Sequence, residues 1–199
     1  MSLDALIGRR MTFEQWADLP KNVEGELVDG YLVEEEQVTA LHGIVGAWLT
    51  YLLCAWAETH AALVATEGIK LKVAPRRGRK PDMVMYLAGQ PLPALRAPLV
   101  TAVPSVVIEI ISQEPSDSRR DRIDKMDEYA RAGIRWYWLV DPQLRLFEIF
   151  ELTEDSRYMR ALGAAEGTLE AIPGCTDLVL DLDALWARID GFDDSLGTG

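Results

Sequence analysis

Cysteine and histidine are scarce in this sequence. Its 199 residues include two cysteines, Cys54 and Cys175, which form no CxxC motif, and two histidines, His42 and His60. A structural zinc site takes about four ligands and would need all of these few residues, so a zinc site built from cysteine and histidine is nearly excluded. Cys54 lies in an apolar helical stretch, and we expect it to be a reduced thiol in the core.

Signals for secretion, membrane insertion and nucleotide binding are also missing. The N-terminal MSLDALIGRR has no basic segment followed by an apolar one, and glycines and a histidine interrupt the longest apolar stretch, residues 41–57. We therefore expect a cytoplasmic protein with no membrane partner. The sequence contains no G-x-x-x-x-G-K-[ST], G-x-G-x-x-G or G-x-S-x-G motif, which removes the phosphate-loop, dinucleotide-binding and hydrolase-elbow interpretations.

An excess of positive charge is absent as well. The chain carries 32 acidic and 20 basic residues, a net charge of −12, which counts against a protein that binds nucleic acid over a wide surface. Six basic residues nevertheless lie close together without an intervening acid: Lys70, Lys72, Arg76, Arg77, Arg79 and Lys80. We call residues 70–80 the basic strip, and it ends just before Pro81 and Asp82.

Hydrophobic periodicity and turn residues predict the element order α-β-β-α-β-β-β-α-β-β, followed by edge strands. Asp29-Gly30 predicts a hairpin, and apolar residues at three- and four-residue spacing predict a helix from about Thr39 to His60. A second main helix begins at Ser116 or Asp117 and ends at Ala132, before Gly133.

This order indicates an α/β (α+β) fold with a mixed β-sheet flanked by two main helices. The composition is 49% hydrophobic and 26% charged, and the length suits one core. We assign residues 1–190 to a single domain and residues 191–199 to a disordered tail.

A carboxylate interrupts the apolar strand PSVVIEIIS, residues 104–112. The ionised side chain of Glu109 would cost several kcal/mol to bury unless it is paired, protonated or bound to a cation. Asp82 opens the preceding apolar strand, and two neighbouring strands could bring both carboxylates to one point. Mg²⁺ is often held by one or two carboxylates, so a metal site is one interpretation. The alternative is that Asp82 caps a turn and Glu109 pairs with an arginine.

Further charged side chains belong to the second main helix. Lys125 and Tyr129 lie at the border of its predicted sheet-facing stripe, from which Lys125 can bend over the end of the sheet. A surface ion pair between Lys125 and Asp121 is the alternative. Arg119 and Arg122 lie nearer the sheet-facing side of the first turns, where they could meet a backbone phosphate.

Several motifs occur in a recognisable order. They are Glu26–Gly30, His42, Pro81-Asp82, Glu109–Ser112, Asp121-x-x-x-Lys125-x-x-x-Tyr129 and Gly133–Pro142. Each motif is weak alone. In this order and spacing, over residues 12–160, the set resembles the Uma-type putative restriction endonuclease family, a branch of the PD-(D/E)XK nuclease superfamily.

The resemblance implies a restriction-endonuclease-like fold and a set of site residues. It implies that Asp82 and Glu109 are ligands of Mg²⁺ or Mn²⁺, with the carbonyl of Ile110 as a third ligand. The superfamily lysine is expected two residues after the glutamate, where this chain has Ile111. Lys125 matches the place to which Uma-type proteins move this lysine, which is thought to orient the attacking water.

Three more residues match the family less specifically. Glu26 resembles an acidic residue that assists a metal. His42 matches a family position of less certain role, and a hydrogen-bonded core histidine is the alternative. Tyr129 is a candidate accessory residue.

The sequence therefore favours a Mg²⁺-dependent DNA endonuclease. The basic strip would deliver the phosphate backbone, with weak and salt-dependent binding, and cutting two strands would need a homodimer. One alternative is an inactive nuclease-like module used in protein interaction or regulation, in which Glu109 and Lys125 form a buried ion pair. Another is a metal-dependent hydrolase of a smaller phosphate ester.

Overall fold

The computed structural model describes residues 6–20, 23, 25–35, 39–66, 68–112 and 118–196. The α-helices with bounds in these ranges are α1 (Phe13–Ala17), α2 (Ala40–His60), α3 (Met126–Ala132) and α4 (Leu182–Leu196), and a π-helix spans Arg120–Lys125. The strands are β1 (Glu26–Val28), β2 (Tyr31–Val33), β3 (Leu63–Thr66), β4 (Leu71–Ala74), β5 (Arg77–Arg79), β6 (Met83–Tyr86), β7 (Val106–Ile110), β8 (Trp136–Asp141), β9 (Leu146–Leu152), β10 (Tyr158–Ala164), β11 (Thr168–Leu169) and β12 (Leu180–Asp181).

The main sheet has six strands in the order β10-β9-β8-β7-β6-β3. Strands β7 and β8 are parallel, and the other neighbours are antiparallel. Strand β7 is buried along its whole length, which explains why its sequence is a nearly continuous apolar run. This mixed sheet, with helices on both faces, confirms the predicted fold class.

Helices cover the two faces of the main sheet differently. Helices α2 and α4 pack on one face, where Leu49, Leu53 and Leu185 are fully buried with Ile108. Helix α3 and strand β4 cover the other face, where Tyr129 packs in a second cluster of buried apolar residues. Glu109 alternates with Ile108 and Ile110 along β7, so its side chain lies on the face covered by α3.

Within the described ranges, α2 is the one helix long and apolar enough to cross a membrane. This is weak evidence for a membrane-spanning helix, because core helices of other proteins pass the same test.

The exposure of a cysteine on α2 differs from the sequence prediction. Cys54, on this helix, is exposed, so the prediction of a core thiol was wrong. The buried thiol is Cys175, and both cysteines are free.

A second sheet, in the order β2-β1-β5-β4, forms beside the main sheet. It includes the predicted Asp29-Gly30 hairpin, in which Leu27 pairs with Leu32. Strand β5, Arg77-Gly78-Arg79, was not predicted because it has no apolar pattern. Gly78 is required there, since an added Cβ would lie 2.3 Å from the ring of buried Trp16.

One helical prediction needs correction. The second main helix is not a continuous α-helix, because its part from Arg120 to Lys125 is a π-helix. The predicted caps Ser116 and Asp117 lie outside the described residues. Helix α4 is described to Leu196, and residues 197–199 lie outside the described ranges, so the division into a domain and a tail stays a prediction.

Candidate active site

The pairing of β6 with β7 brings the two predicted carboxylates together. Met83 pairs with Ile108, so one further step of the antiparallel register places Asp82 opposite Glu109, with both side chains on one face. Asp82 Oδ2 accepts a hydrogen bond from the Ile110 amide at 2.6 Å. Its Oδ1 lies 3.1 Å from His42 Nε2, so His42 contacts the predicted site residue directly.

Glu109 is buried, with 2% of its surface exposed, and both of its carboxylate oxygens have partners. Oε1 accepts a hydrogen bond from Tyr129 Oη at 2.5 Å, and Oε2 accepts one from Lys125 Nζ at 3.0 Å. Burial raises the pKa of Glu109 well above its ordinary value, and the neighbouring charges of Asp121 and Asp82 add to this rise against the opposing charge of Lys125. Lys125 and Tyr129 therefore offset only part of the cost of burying the Glu109 carboxylate.

Lys125 lies between two carboxylates. Its Nζ is 3.0 Å from Glu109 Oε2 and 2.8 Å from Asp121 Oδ1. Burial alone would lower the pKa of Lys125, but the carboxylates of Asp121, Glu109 and Glu26 raise it well above its ordinary value. The i,i+4 pair with Asp121 that the sequence offered as a surface alternative does form, but it is buried.

Ile111 packs where the superfamily lysine is expected. Its side chain is 3% exposed and lies in the apolar cluster that includes Tyr129 and Leu139. Lys125 reaches Glu109 from the π-helix instead. The predicted replacement of the missing lysine is therefore sterically feasible, while its role in orienting water stays a prediction.

Glu26 forms a wall of the same site. Its Oε2 accepts a hydrogen bond from Arg79 Nη1 at 2.5 Å, and its Oε1 accepts one from the Lys80 amide at 3.0 Å. Burial alone would raise the pKa of Glu26, but the charges of Lys125 and Arg79 and these hydrogen bonds lower it. Glu26 therefore remains an ionised carboxylate that holds the backbone two residues before Asp82.

A small pocket collects these groups. Asp82, Glu109, Lys125, Glu26 and His42 all line it. Glu35, Ser112 and Arg120 line it too, and sequence reasoning did not assign them to the site. Ser112 and Arg120 lie close along the chain to Glu109 and Lys125, and that adjacency was the available signal.

Arg79 differs from its predicted role in the basic strip. Its side chain is buried, and its Nε and Nη2 donate to Oε2 and Oε1 of Glu128 at 2.7 and 2.8 Å. Together with the bond to Glu26, these contacts engage the guanidinium inside the protein. Arg79 therefore cannot lie on a surface that contacts DNA.

The other residues of the basic strip are partly engaged by protein groups. Lys70 Nζ donates to the carbonyls of Trp16 and Ala17, and Lys72 Nζ lies 4.9 Å from the ring centroid of Phe13. The further contacts are those of Arg76 with the Asp29 carbonyl, Arg77 with Asp29 and Glu128, and Lys80 with Glu35. Lys72 and Arg76 are exposed, so they are the best placed of the strip to meet a ligand.

The two arginines predicted to meet phosphate in the first turns of the helix have different surroundings. Arg119 is exposed. Arg122 Nη2 lies 3.0 Å from Asp141 Oδ2, and its Nη1 lies 2.6 Å from Glu148 Oε2. Arg122 is therefore neutralised by two buried carboxylates, and Arg119 is the more accessible of the two.

Known proteins resemble this chain in sequence pattern and in fold. The sequence model of Uma2, described as a putative restriction endonuclease, matches residues 11–182. A crystal structure described as a putative nuclease belonging to DUF820, from Anabaena variabilis ATCC 29413, has a TM-score of 0.69 and 14% sequence identity, and the match covers 89% of this chain and 98% of that one. At this identity the likeness shows the fold. No curated protein matches the chain.

Proposed function

We propose, from the premise that the chain belongs to the Uma2 family of putative restriction endonucleases, that it is a metal-dependent nuclease that hydrolyses phosphodiester bonds in DNA. The observation that carries the proposal is the meeting of Asp82, Glu109 and Lys125 at one pocket. These three groups come from separate parts of the chain, and their sequence spacing and spatial grouping agree with one site made of two carboxylates and a lysine ammonium.

The pocket suits a divalent cation, although its side chains do not supply a complete set of metal ligands. In the described ranges, no three Asp, Glu, His or Cys side chains form a group that could hold a metal ion. Mg²⁺, however, needs only one or two carboxylates, because it retains several waters. Asp82 and Glu109 supply these. Burial is the main cause of the raised pKa of Glu109, and the neighbouring carboxylates of Asp121 and Asp82 add to it, so a bound cation would stabilise the ionised form.

The donors that would hold Mg²⁺ or Mn²⁺ are the carboxylates of Asp82 and Glu109 and the carbonyl of Ile110. The N–H and C=O of one residue point to the same side of a strand, and the Ile110 N–H bonds Asp82, so its carbonyl faces the same edge. A bound divalent ion would polarise a phosphate and lower the pKa of a coordinated water.

The side chains around these donors have distinct tasks. Lys125, with its raised pKa, stays protonated and cannot act as a base, so it donates hydrogen bonds and stabilises developing negative charge. Tyr129 and His42 orient Glu109 and Asp82. Glu26 fixes the backbone before Asp82.

Substrate binding would rely on a few cations beside an acidic body. Arg120 and Lys80 line the pocket, and Lys72, Arg76 and Arg119 are exposed. Because the net charge is −12, we expect weak binding that falls steeply with salt. Cleavage of both strands would need a homodimer with two such pockets.

The test is cleavage of supercoiled and linear DNA in Mg²⁺ or Mn²⁺ at low and high salt. We expect the parent to cut, and Asp82→Asn, Glu109→Gln and Lys125→Met to lose activity. Asp127→Asn is the matched control, since its exposed carboxylate on α3 pairs with Arg131 outside the pocket. Equal DNA cleavage by the parent and the three site variants, with or without metal, would contradict the proposal.

One observation favours a second function, that of a non-catalytic module. Glu109 and Lys125 form a buried ion pair, as expected for a structural pair. In that case Mg²⁺ would leave both DNA and the melting temperature of the protein unchanged.

A further inference from the structure

Asp121 is a buried carboxylate with no assigned task. Its side chain is 1% exposed, and neither Oδ atom makes a hydrogen bond to the described residues. Its close charged neighbour is Lys125, whose Nζ lies 2.8 Å from Oδ1 without hydrogen-bond geometry. A buried carboxylate in such a state is costly, so its presence asks for a reason beyond packing.

The contacts of Lys125 supply that reason. A lysine side chain has a flexible four-carbon stem with considerable rotamer freedom, so one ion pair with Glu109 would hold it loosely. Asp121 attracts the same ammonium as a second carboxylate, at a similar distance. The two carboxylates together define one position for Nζ beside the pocket.

The π-helix makes this arrangement possible. In a straight α-helix, residues 121 and 129 would point about 80° apart. The wider π-turn over Arg120–Lys125 rotates less per residue, so Asp121, Lys125 and Tyr129 come closer to one face. Tyr137 Oη anchors this turn by donating to the Asp121 carbonyl at 3.1 Å.

We propose that Asp121 is a positioning residue, which holds the ammonium of Lys125 beside Glu109 at the mouth of the pocket. This inference rests on the proposed nuclease function for its effect on activity. Its structural part, the fixed position of Lys125, can be tested without any substrate.

The first experiment measures the order of the ammonium group by nitrogen-15 NMR. The chain has five lysines, so each signal can be assigned by substitution. We expect the Lys125 ammonium to exchange slowly with water in the parent and in Asp127→Asn, and faster in Asp121→Asn. An unchanged Lys125 signal in Asp121→Asn would overturn the proposal. If that variant does not fold, a parent Lys125 signal that exchanges as fast as that of exposed Lys72 would overturn it.

The second experiment measures steady-state cleavage of DNA. We expect Asp121→Asn to lower kcat by about 10- to 100-fold with little change in KM, because Lys125 is misplaced but DNA contacts remain. A kcat equal to that of the parent, or a loss that only follows the folded fraction, would contradict positioning. If the parent itself cuts no DNA, the nuclease proposal fails, and the NMR result still decides the role of Asp121.

Discussion

The π-helix and α3 bury charge in contrasting ways, although one follows the other along the chain. On α3, Glu128 is 3% exposed, and both of its oxygens accept hydrogen bonds from Arg79. On the π-helix, Asp121 is equally buried, but neither of its oxygens is hydrogen-bonded in the described structure. Adjacent turns therefore hold one carboxylate that is hydrogen-bonded at both oxygens and one that is held by its ion pair with Lys125.

This contrast separates the ion network around Arg79, which we call the structural network, from the network at the proposed active site, which we call the functional network. Arg79 joins α3 to the second sheet through its ion pairs with Glu128 and Glu26. These groups are already paired with one another, so a bound ligand would add little stabilisation. Around Lys125, in contrast, the two buried carboxylates of Asp121 and Glu109 share one ammonium group. Groups perturbed in this way cluster at functional sites, because a ligand can supply the missing charge.

The largest effect should come from breaking the structural network. Arg79→Met leaves Glu26 and Glu128 without their main buried partner, and we expect the free energy of unfolding to fall by about 3–5 kcal/mol. Urea denaturation measures this loss. Arg131→Met is the control, because its exposed pair with Asp127 should contribute less than about 1 kcal/mol. Equal losses in both variants would remove the contrast.

Metal binding should stabilise the functional network. At a Mg²⁺ concentration 100 times its Kd, the free energy of unfolding should rise by about 2.7 kcal/mol, because the ion binds only the native site. Thermal unfolding with and without Mg²⁺ measures this in the parent and in Asp82→Asn, where the gain should disappear. A gain that persists in Asp82→Asn would place the ion elsewhere.

Acidification should weaken the structural network through Glu26. The pKa of Glu26 is lowered in the folded protein, so its contribution is present above its ordinary pKa of 4.5 and is lost as pH falls through the folded value. One such group gives a slope of at most about 1.4 kcal/mol per pH unit. Glu26→Gln should reduce the acid-side slope in urea denaturation, and identical slopes would contradict the assignment.

Asp121→Asn should have the smallest effect on stability. Burial raises the pKa of Asp121, so its ionised form is held at a cost, and removing the charge should change the free energy of unfolding by less than about 1 kcal/mol. Urea denaturation beside Arg79→Met gives the comparison. A loss as large as that of Arg79→Met would make Asp121 a structural residue like Glu128.

Much of the site could be anticipated from local patterns. A carboxylate inside an apolar strand identified Glu109, and its spacing from Asp82 and Lys125 along predicted elements allowed one shared site. The burial of Arg79 could not be anticipated, because its partner Glu128 is 49 residues away along the chain. The π-turn also escaped prediction, since apolar periodicity does not distinguish it from an α-helix.

The sequence by itself determined the mixed sheet and its main helices, because apolar periodicity and turn residues act over a few neighbouring positions. It also identified the carboxylates that a core would not otherwise contain. Only the tertiary structure decided which charges neutralise one another, because pairing energy depends on distance and burial rather than on order along the chain. For this reason the basic strip, which the sequence predicted to form one surface, is partly a buried ion network in the structure. For the same reason Lys125 lies beside Glu109.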